Sequence, residues 1–326
     1  MNCLKGLILT VSIAVIATIL GTWLPIIGSA IFAIVIGMII GNIWRVPDTF
    51  QPGIKFSSKK VLHYSIIVLG FTLSFQSIGS VGWKSLPIIF ITLIVAFLIV
   101  YLLLKLLHID ENIGILIGVG TSICGGSAIA ATSPVIRAKE SEVAFSISTV
   151  FLFNLIAVFI FPPMGHLFHM SQTAFGFFSG ATINDTSSVI AASSIYGHQA
   201  LQTGAIVKLT RTLMIIPVVL FFAVRTMNKM KSKDANVSIV KIFPWFVVGF
   251  ILASLISTVF NFSPAVIHVF QKISLFFISI AMAGIGLGVN FKQFKEAGFK
   301  PILLGLITWF VVIVSSLVTM WFTHLW

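Results

Sequence analysis

Acidic side chains are scarce in this chain: eight in 326 residues, against twenty Lys and Arg. Charged residues of both signs make up 9% of the sequence, where a soluble domain carries roughly 25%. A chain so poor in charge cannot cover a water-facing surface of its own. Eight scattered carboxylates cannot furnish dedicated metal cages. No HExxH, GxSxG or Walker sequence occurs, nor the paired aspartates of an intramembrane protease, so no enzyme chemistry and no cofactor is expected. Cysteine is limited to Cys3 and Cys124, far apart and without CxxC spacing, which excludes a disulfide framework and a zinc site.

What the chain has instead is apolar length. It is 58% hydrophobic, with a mean hydropathy of +1.12. A hydrocarbon core of about 30 Å takes roughly 20 apolar residues per helix. That ruler gives eleven candidate spans: 5–22, 26–43, 61–79, 86–107, 112–133, 142–163, 172–196, 200–225, 240–260, 266–290 and 301–324. The first two are separated only by Gly21-Thr22-Trp23-Leu24-Pro25. Lys5 ahead of the first apolar run resembles a signal peptide, but no small-x-small cleavage site follows, so an uncleaved first span is expected. No connection is long enough to fold alone. The fold class expected is an all-α polytopic membrane protein with one transmembrane domain over 1–326.

The net charge of +12 does not mark a nucleic-acid binder, because the basic residues sit in short connections between apolar runs. With eleven spans, one side receives fourteen of them: Lys5, Arg45, Lys55, Lys59, Lys60, Lys105, Arg225, Lys229, Lys231, Lys233, Lys241, Lys292, Lys295 and Lys300. The other side receives Lys84, Arg137, Lys139 and Lys272. The positive-inside rule then places the N-terminus in the cytoplasm and the C-terminus outside a cell membrane. Anionic lipid heads of the bilayer are natural contacts for these residues. A homodimer is compatible with the sequence, which does not set the oligomeric state.

Two internal echoes point to repeated architecture. Gly70-Phe71-Thr72-Leu73-Ser74-Phe75, running on to Lys84, is matched by Gly286-Leu287-Gly288-Val289-Asn290-Phe291, running on to Lys300 at the same spacing. Residues 121–131 also align without gaps on 182–192. The first echo lies in an odd and an even span, which is what an inverted repeat leaves; the two echoes have different offsets, so they do not describe one tandem duplication.

The polar interruptions carry the candidate chemistry. The fifth span contains Ser122-Ile123-Cys124-Gly125-Gly126-Ser127. Paired glycine weakens a helix interior, and irregular backbone is tolerated in lipid only where protein or a watery cavity covers it. A break there would aim peptide N–H groups at an anion; close helix packing through small residues is the other reading. The seventh span contains Asn184-Asp185-Thr186-Ser187, with the one acidic residue placed deep in a span. Such a carboxylate is a functional-site hypothesis by default and a carrier for a coupling proton or Na⁺. It is equally a good N-cap for a half-helix. The eighth span holds Lys208 and Arg211, three apart and so on one helix face. Their expected partner is Asp185 or a bound anion; snorkelling to the surface is the alternative. Pro217 is expected to kink that helix. His63, His166, His169, His198 and His268 sit near span ends and read as interfacial.

The runs at 120–131, 184–192 and Lys208-Leu209-Thr210-Arg211, together with 286–291, resemble the YeiH family of bacterial membrane proteins over nearly the whole chain. That family is usually labelled as sulfate exporters and is grouped with the cation:proton antiporter and anion transporter superfamily. The resemblance implies an inverted-repeat transporter with crossing, discontinuous helices. It assigns no site residue. The physical reading supplies these: Ser122, Cys124, Gly125, Gly126, Ser127, Asn184, Asp185, Thr186, Ser187, Lys208 and Arg211 as the binding site of a small anionic substrate. The expected function is ion- or proton-coupled secondary transport of sulfate or a sulfonate. The alternatives are a cation:proton antiporter built on Asp185 and a non-transporting sensor or scaffold.

Overall fold

The computed structural model describes residues 2–24, 28–44, 46–230, 243–289 and 298–326. Among the described residues the elements are helical and no strand occurs. Pro25, Arg45, Lys231, Lys233, Lys241, Asn290, Phe291, Lys292 and Lys295, used above for span limits, charge balance and the first echo, lie outside them. Six described helices are long and apolar enough to cross a membrane: Cys3–Trp23, Phe75–Leu107, Glu140–Leu167, His198–Asn228, Pro264–Gly288 and Phe299–Phe322. Gly28–Ile43 and Trp245–Phe260 are shorter apolar helices. Four of the segments read as single spans are interrupted, at 71–74, 123–125, 183–185 and 213–214.

The chain divides into two compact units. The first comprises Met1–Val81, Ile190–Gln202 and Trp245–Phe291. In it α1 (Asn2–Trp23) and α2 (Gly28–Ile43) pack with each other and with α14 (Pro264–Gly288). Glycine lets the backbones touch: a Cβ on Gly286 would lie 2.3 Å from the Ile34 carbonyl oxygen, and one on Gly37 would lie 2.6 Å from that of Ala283. The glycine string 284–288 is therefore a packing surface, and α14 runs unbroken through it. Helices α3 (Gln51–Phe56) and α4 (Leu62–Gly70) are joined by one π turn at Ser57–Val61, whose Ser57 hydroxyl shares a 2.7 Å hydrogen bond with Thr10.

The third expected span ends early. After Gly70 the chain leaves the helix for Phe71-Thr72-Leu73-Ser74 before α5 (Phe75–Leu107) begins. The opened backbone is satisfied by α13 (Trp245–Phe260). Ser257 Oγ donates to Phe71 O at 2.7 Å, Ser254 Oγ donates to Leu73 O at 3.0 Å, and the Phe75 N–H donates to Thr258 Oγ1 at 2.8 Å. Thr72 O accepts the Gln202 amide at 3.0 Å; hydropathy alone cannot see this break, because its opened peptide groups find hydroxyl and amide partners on other helices.

The second unit comprises Gly82–Val189, Thr203–Pro244 and Lys292–Trp326. Its elements are the main part of α5, α6 (Glu111–Ser122), α7 (Gly126–Thr132), α8 (Glu140–Leu167), α9 (Gln172–Thr182), the start of α10 (Thr186–Tyr196), most of α11 (His198–Thr212), α12 (Ile215–Met230) and α15 (Phe299–Phe322). One apolar cluster joins Ile115, Val119, Ile123 and Cys124 to Val218, Val219 and Phe222. Another joins Val100, Leu103, Ile113 and Ile117 to Leu304. The Glu142 carboxylate accepts the Lys139 N–H at 2.8 Å, which caps α8, and the Asn112 amide at 3.0 Å, which ties α8 to α6. The expected kink near Pro217 is present: the helix opens at Leu213–Met214, and Pro217 falls in the first turn of α12, where its missing N–H has no helical partner to lose.

Candidate functional site

All eleven residues proposed from sequence lie in the second unit, and two helix breaks bring them together. At the first, α6 stops at Ser122 and Gly125 takes φ +64° and ψ −131°. An L side chain rarely adopts that conformation. The turn is closed by the Gly125 N–H, which donates to Gly120 O at 2.9 Å, and α7 starts at Gly126. At the second break α9 stops at Thr182, and Ile183 is extended with φ −81° and ψ 132°. Asp185 then caps α10. Its Oδ2 accepts the N–H groups of Ser187 at 3.0 Å and Ser188 at 3.3 Å, and also the Ser187 hydroxyl. The N-cap reading of Asp185 therefore describes its contacts.

The breaks face each other. A Cβ on Gly125 would lie 3.5 Å from Asp185 Cβ and 3.6 Å from Asn154 Nδ2, ordinary contact distances, so the two breaks touch and it is the φ of Gly125 that calls for glycine. Asn154 comes from α8. Its Oδ1 accepts two adjacent N–H groups of the second break, from Asn184 at 3.0 Å and Asp185 at 3.2 Å. The sequence reading missed Asn154. Its signal was there to use, since it is the one amide side chain in the apolar run of α8.

Lys208 and Arg211 bind the two breaks together. Both side chains are 0% exposed. Lys208 Nζ donates to Ile123 O at 2.6 Å and to Ile183 O at 2.9 Å. Arg211 Nε donates to Ser122 O at 2.7 Å and Nη2 to Thr121 O at 2.5 Å. Its Nη1 donates to Ala181 O at 2.5 Å and, more weakly, to Ile183 O at 3.4 Å. These are the carbonyls that end α6 and α9, which have no helical donor of their own and carry the negative end of each helix dipole. The sequence pairs these two cations with Asp185 or a bound anion; the contacts present in the structure are to backbone oxygens. Four guanidinium bonds and two ammonium bonds go to backbone oxygens. Neither cation forms an ion pair with Asp185, and the ion pair seen elsewhere in the unit is Arg225 with Glu111. Snorkelling is excluded for both, because full burial leaves no path to the surface.

The brace also fixes how the two breaks correspond. Ile123 and Ile183 share Lys208, and Thr121 and Ala181 share Arg211. The last helical residues, Ser122 and Thr182, and the first of the next helices, Gly126 and Thr186, keep the same offset. The gapless sequence alignment of 121–131 on 182–192 is therefore one residue out of structural register. In the structural register Cys124 stands opposite Asn184, and Gly125 opposite Asp185.

The remaining residues divide by surroundings. Cys124 is 2% exposed and packs in the apolar cluster with Val119 and Phe222. Gly126 and Thr186 are half-buried, Ser127 is exposed, and a Cβ on Gly126 would meet open space. Asn184 is 0% exposed, yet neither its Oδ1 nor its Nδ2 has a partner among the described residues. The Thr121 and Ser122 hydroxyls are likewise buried and unpartnered. On the far side of the second break, Trp309 of α15 donates its Nε1–H to Thr182 O at 3.1 Å and stacks on Phe161. Among the described residues no group of His, Cys, Asp and Glu is placed to hold a metal ion.

An all-helical chain with several apolar, membrane-length helices, whose polar residues converge on facing helix breaks, defines the class: a multi-pass membrane protein. Comparison with known proteins narrows this. The chain belongs to the UPF0324 membrane protein family; the family described as Conserved hypothetical protein 698 matches residues 5–305. A UPF0324 membrane protein of Fusobacterium nucleatum is 46% identical over 336 residues, covering 97% of both chains. One from Streptococcus agalactiae is 45% identical over 321 residues, covering 96% of both. One from Streptococcus pneumoniae is 41% identical over 319 residues, covering 96% of this chain and 95% of the relative.

Proposed function

We propose that the chain is a secondary active transporter that moves a small anion of the sulfate or sulfonate class, with a proton or Na⁺ as the coupling ion and Asp185 as its carrier. The observation that carries this reading is the braced pair of helix breaks. Irregular backbone within apolar segments is a transporter's way of building a polar site. The brace holds two buried cations against one carboxylate, which leaves the site electropositive. Because the cations bond to carbonyls, they offset the negative helix ends; the positive end at Thr186 is already capped by Asp185, which leaves the peptide N–H groups near Gly126 to act on a ligand. The anion would be met by peptide N–H groups and amide side chains rather than by the charged heads. The YeiH label and the superfamily placement fit this reading. The proposal also takes eleven crossings with an inverted repeat, an N-terminus inside and a C-terminus outside a cell membrane, and no enzyme activity.

The test is flux in proteoliposomes with a panel of radiolabelled anions, run with and without imposed pH and Na⁺ gradients. Uptake of an anion that needs a gradient, and that is lost in Asp185→Asn with the protein still folded, is the expected result. Gradient-driven cation movement with no anion selectivity would replace this reading by cation:proton antiport at Asp185. No flux of any ion would leave a sensor or scaffold.

A further inference from the structure

The two breaks match in brace and length but not in backbone, since Ile123 has φ −124° and ψ −89° where Ile183 has φ −81° and ψ 132°. At one pair the first buries an apolar-packed side chain, Cys124, where the second buries an amide, Asn184. Cys124 packs in an apolar cluster. Asn184 is fully buried with its whole side-chain amide unpartnered among the described residues, and the Thr121 and Ser122 hydroxyls on the facing helix end are unpartnered too. The backbone N–H of Asn184 is held by Asn154 Oδ1 at 3.0 Å, so the residue is not short of a structural anchor. The polarity of its side chain has no structural use in the described fold. Buried polar atoms are almost always satisfied, and a specific exception calls for a cause.

An asparagine amide offers two N–H donors and one carbonyl acceptor. A fully deprotonated oxyanion offers acceptors only. It would satisfy Nδ2 and leave Oδ1 facing an anion, which is repulsive as well as unpaired. Which way the amide is turned does not matter, because both ends lack partners. We infer that Asn184 is a specificity-determining residue, and that it selects an anionic cargo which also carries an O–H or N–H donor. Such cargoes are an oxyanion that retains a proton or a sulfonate with a hydroxyl or amino substituent. The inference rests on the anion-transport reading above and sharpens its substrate class. It assigns the discrimination to a neutral residue, because Lys208 and Arg211, six of whose eight N–H donors bond to carbonyls, carry no acceptor for a cargo's donor.

The experiment measures binding by thermal shift and uptake in proteoliposomes for two matched pairs. One pair is hydrogen phosphate against sulfate, equal in shape and differing by an O–H. The other is 2-hydroxyethanesulfonate against ethanesulfonate. The donor-bearing member of each pair should be favoured about tenfold to a hundredfold, the worth of one hydrogen bond to a buried group. In Asn184→Leu the preference should vanish while the protein unfolds no earlier than its parent, since the substitution removes polar atoms that have no partner and keeps the backbone bond to Asn154. Equal binding of both members to the parent, or preference for sulfate and ethanesulfonate, would overturn the inference and leave anion transport standing. The same applies if Asn184→Leu keeps the preference. Absence of binding and uptake for all four anions would overturn the transport reading, and this inference with it.

Discussion

Replacing Arg211 by Ala separates a brace from an anion ligand. In the structure its loss takes the donor from Thr121 O, Ser122 O and Ala181 O, while Ile183 O keeps Lys208. Three buried carbonyls without partners cost about 1–3 kcal/mol each. The burial of the guanidinium, itself unfavourable, is relieved at the same time, and water can enter the space. The three lost bonds, partly offset by that relief, come to about 3–5 kcal/mol in total, a large part of the roughly 5–15 kcal/mol that holds a folded domain together. Arg211→Lys keeps the charge but gives up the fork that reaches α6 and α9 at once, so most of the loss should persist. Denaturant unfolding in detergent micelles, followed by tryptophan fluorescence, is a suitable assay, because Trp309 bonds to Thr182 beside the brace. If Arg211→Ala unfolds within about 1 kcal/mol of the parent and only weakens anion binding, the reasoning is refuted, and the guanidinium serves the ligand after all.

Four further outcomes follow from the same geometry. Gly125→Ala should destabilise by about 1–3 kcal/mol through its φ of +64°, whereas Gly126→Ala, which meets open space in a helix, should leave stability unchanged or slightly raised; unfolding midpoints of the two variants distinguish them. Asp185→Ala should lose about 1 kcal/mol of capping that Asp185→Asn retains, while gradient-dependent uptake falls in both. Asn154→Leu strips the acceptor from two adjacent N–H groups and should destabilise by about 1–3 kcal/mol in the same denaturation assay. Cys3 is exposed and Cys124 buried, so a membrane-impermeant maleimide should label neither in intact cells and Cys3 alone in inverted vesicles; labelling of Cys3 in intact cells would reverse the proposed orientation.

The sequence exposed the places where helices break more readily than the bonds that hold them. Gly125-Gly126 and Asn184-Asp185 are violations of an apolar pattern, and such violations are local and visible. The brace is not local. Lys208 and Arg211 share a helix face by spacing, but their partners are carbonyls of 121–123 and 181–183, and a carbonyl leaves no mark in a sequence because every residue has one. Charge arithmetic therefore proposed Asp185 or an anion as the missing partner. The same limit explains the break at 71–74, whose peptide groups are met by Ser254, Ser257 and Thr258. Hydroxyls common in any helix do not announce that use. The one-residue slip in the second echo has a simpler origin: similarity of small side chains rewarded the offset that matched Thr121 with Thr182, and backbone geometry required another.

On the proposed transport reading, the brace bears on how a site can be electropositive and still release its cargo. A lysine or arginine in direct contact with an anion in a low-dielectric interior forms a strong charge-assisted bond, and a transporter that bound its cargo so tightly would turn over slowly. With both cations held by carbonyls of α6 and α9, their charge reaches the ligand as a field, while contact is left to the weaker donors of Asn184, Asn154 and the peptide groups near Gly126. The same six bonds keep the two breaks registered whether or not a ligand is present, so the site need not collapse when it empties. On this argument affinity is set by the neutral residues and architecture by the charged ones. Substitutions at Asn184 should then alter selectivity with the fold intact, and substitutions at Lys208 or Arg211 should cost stability before they change selectivity.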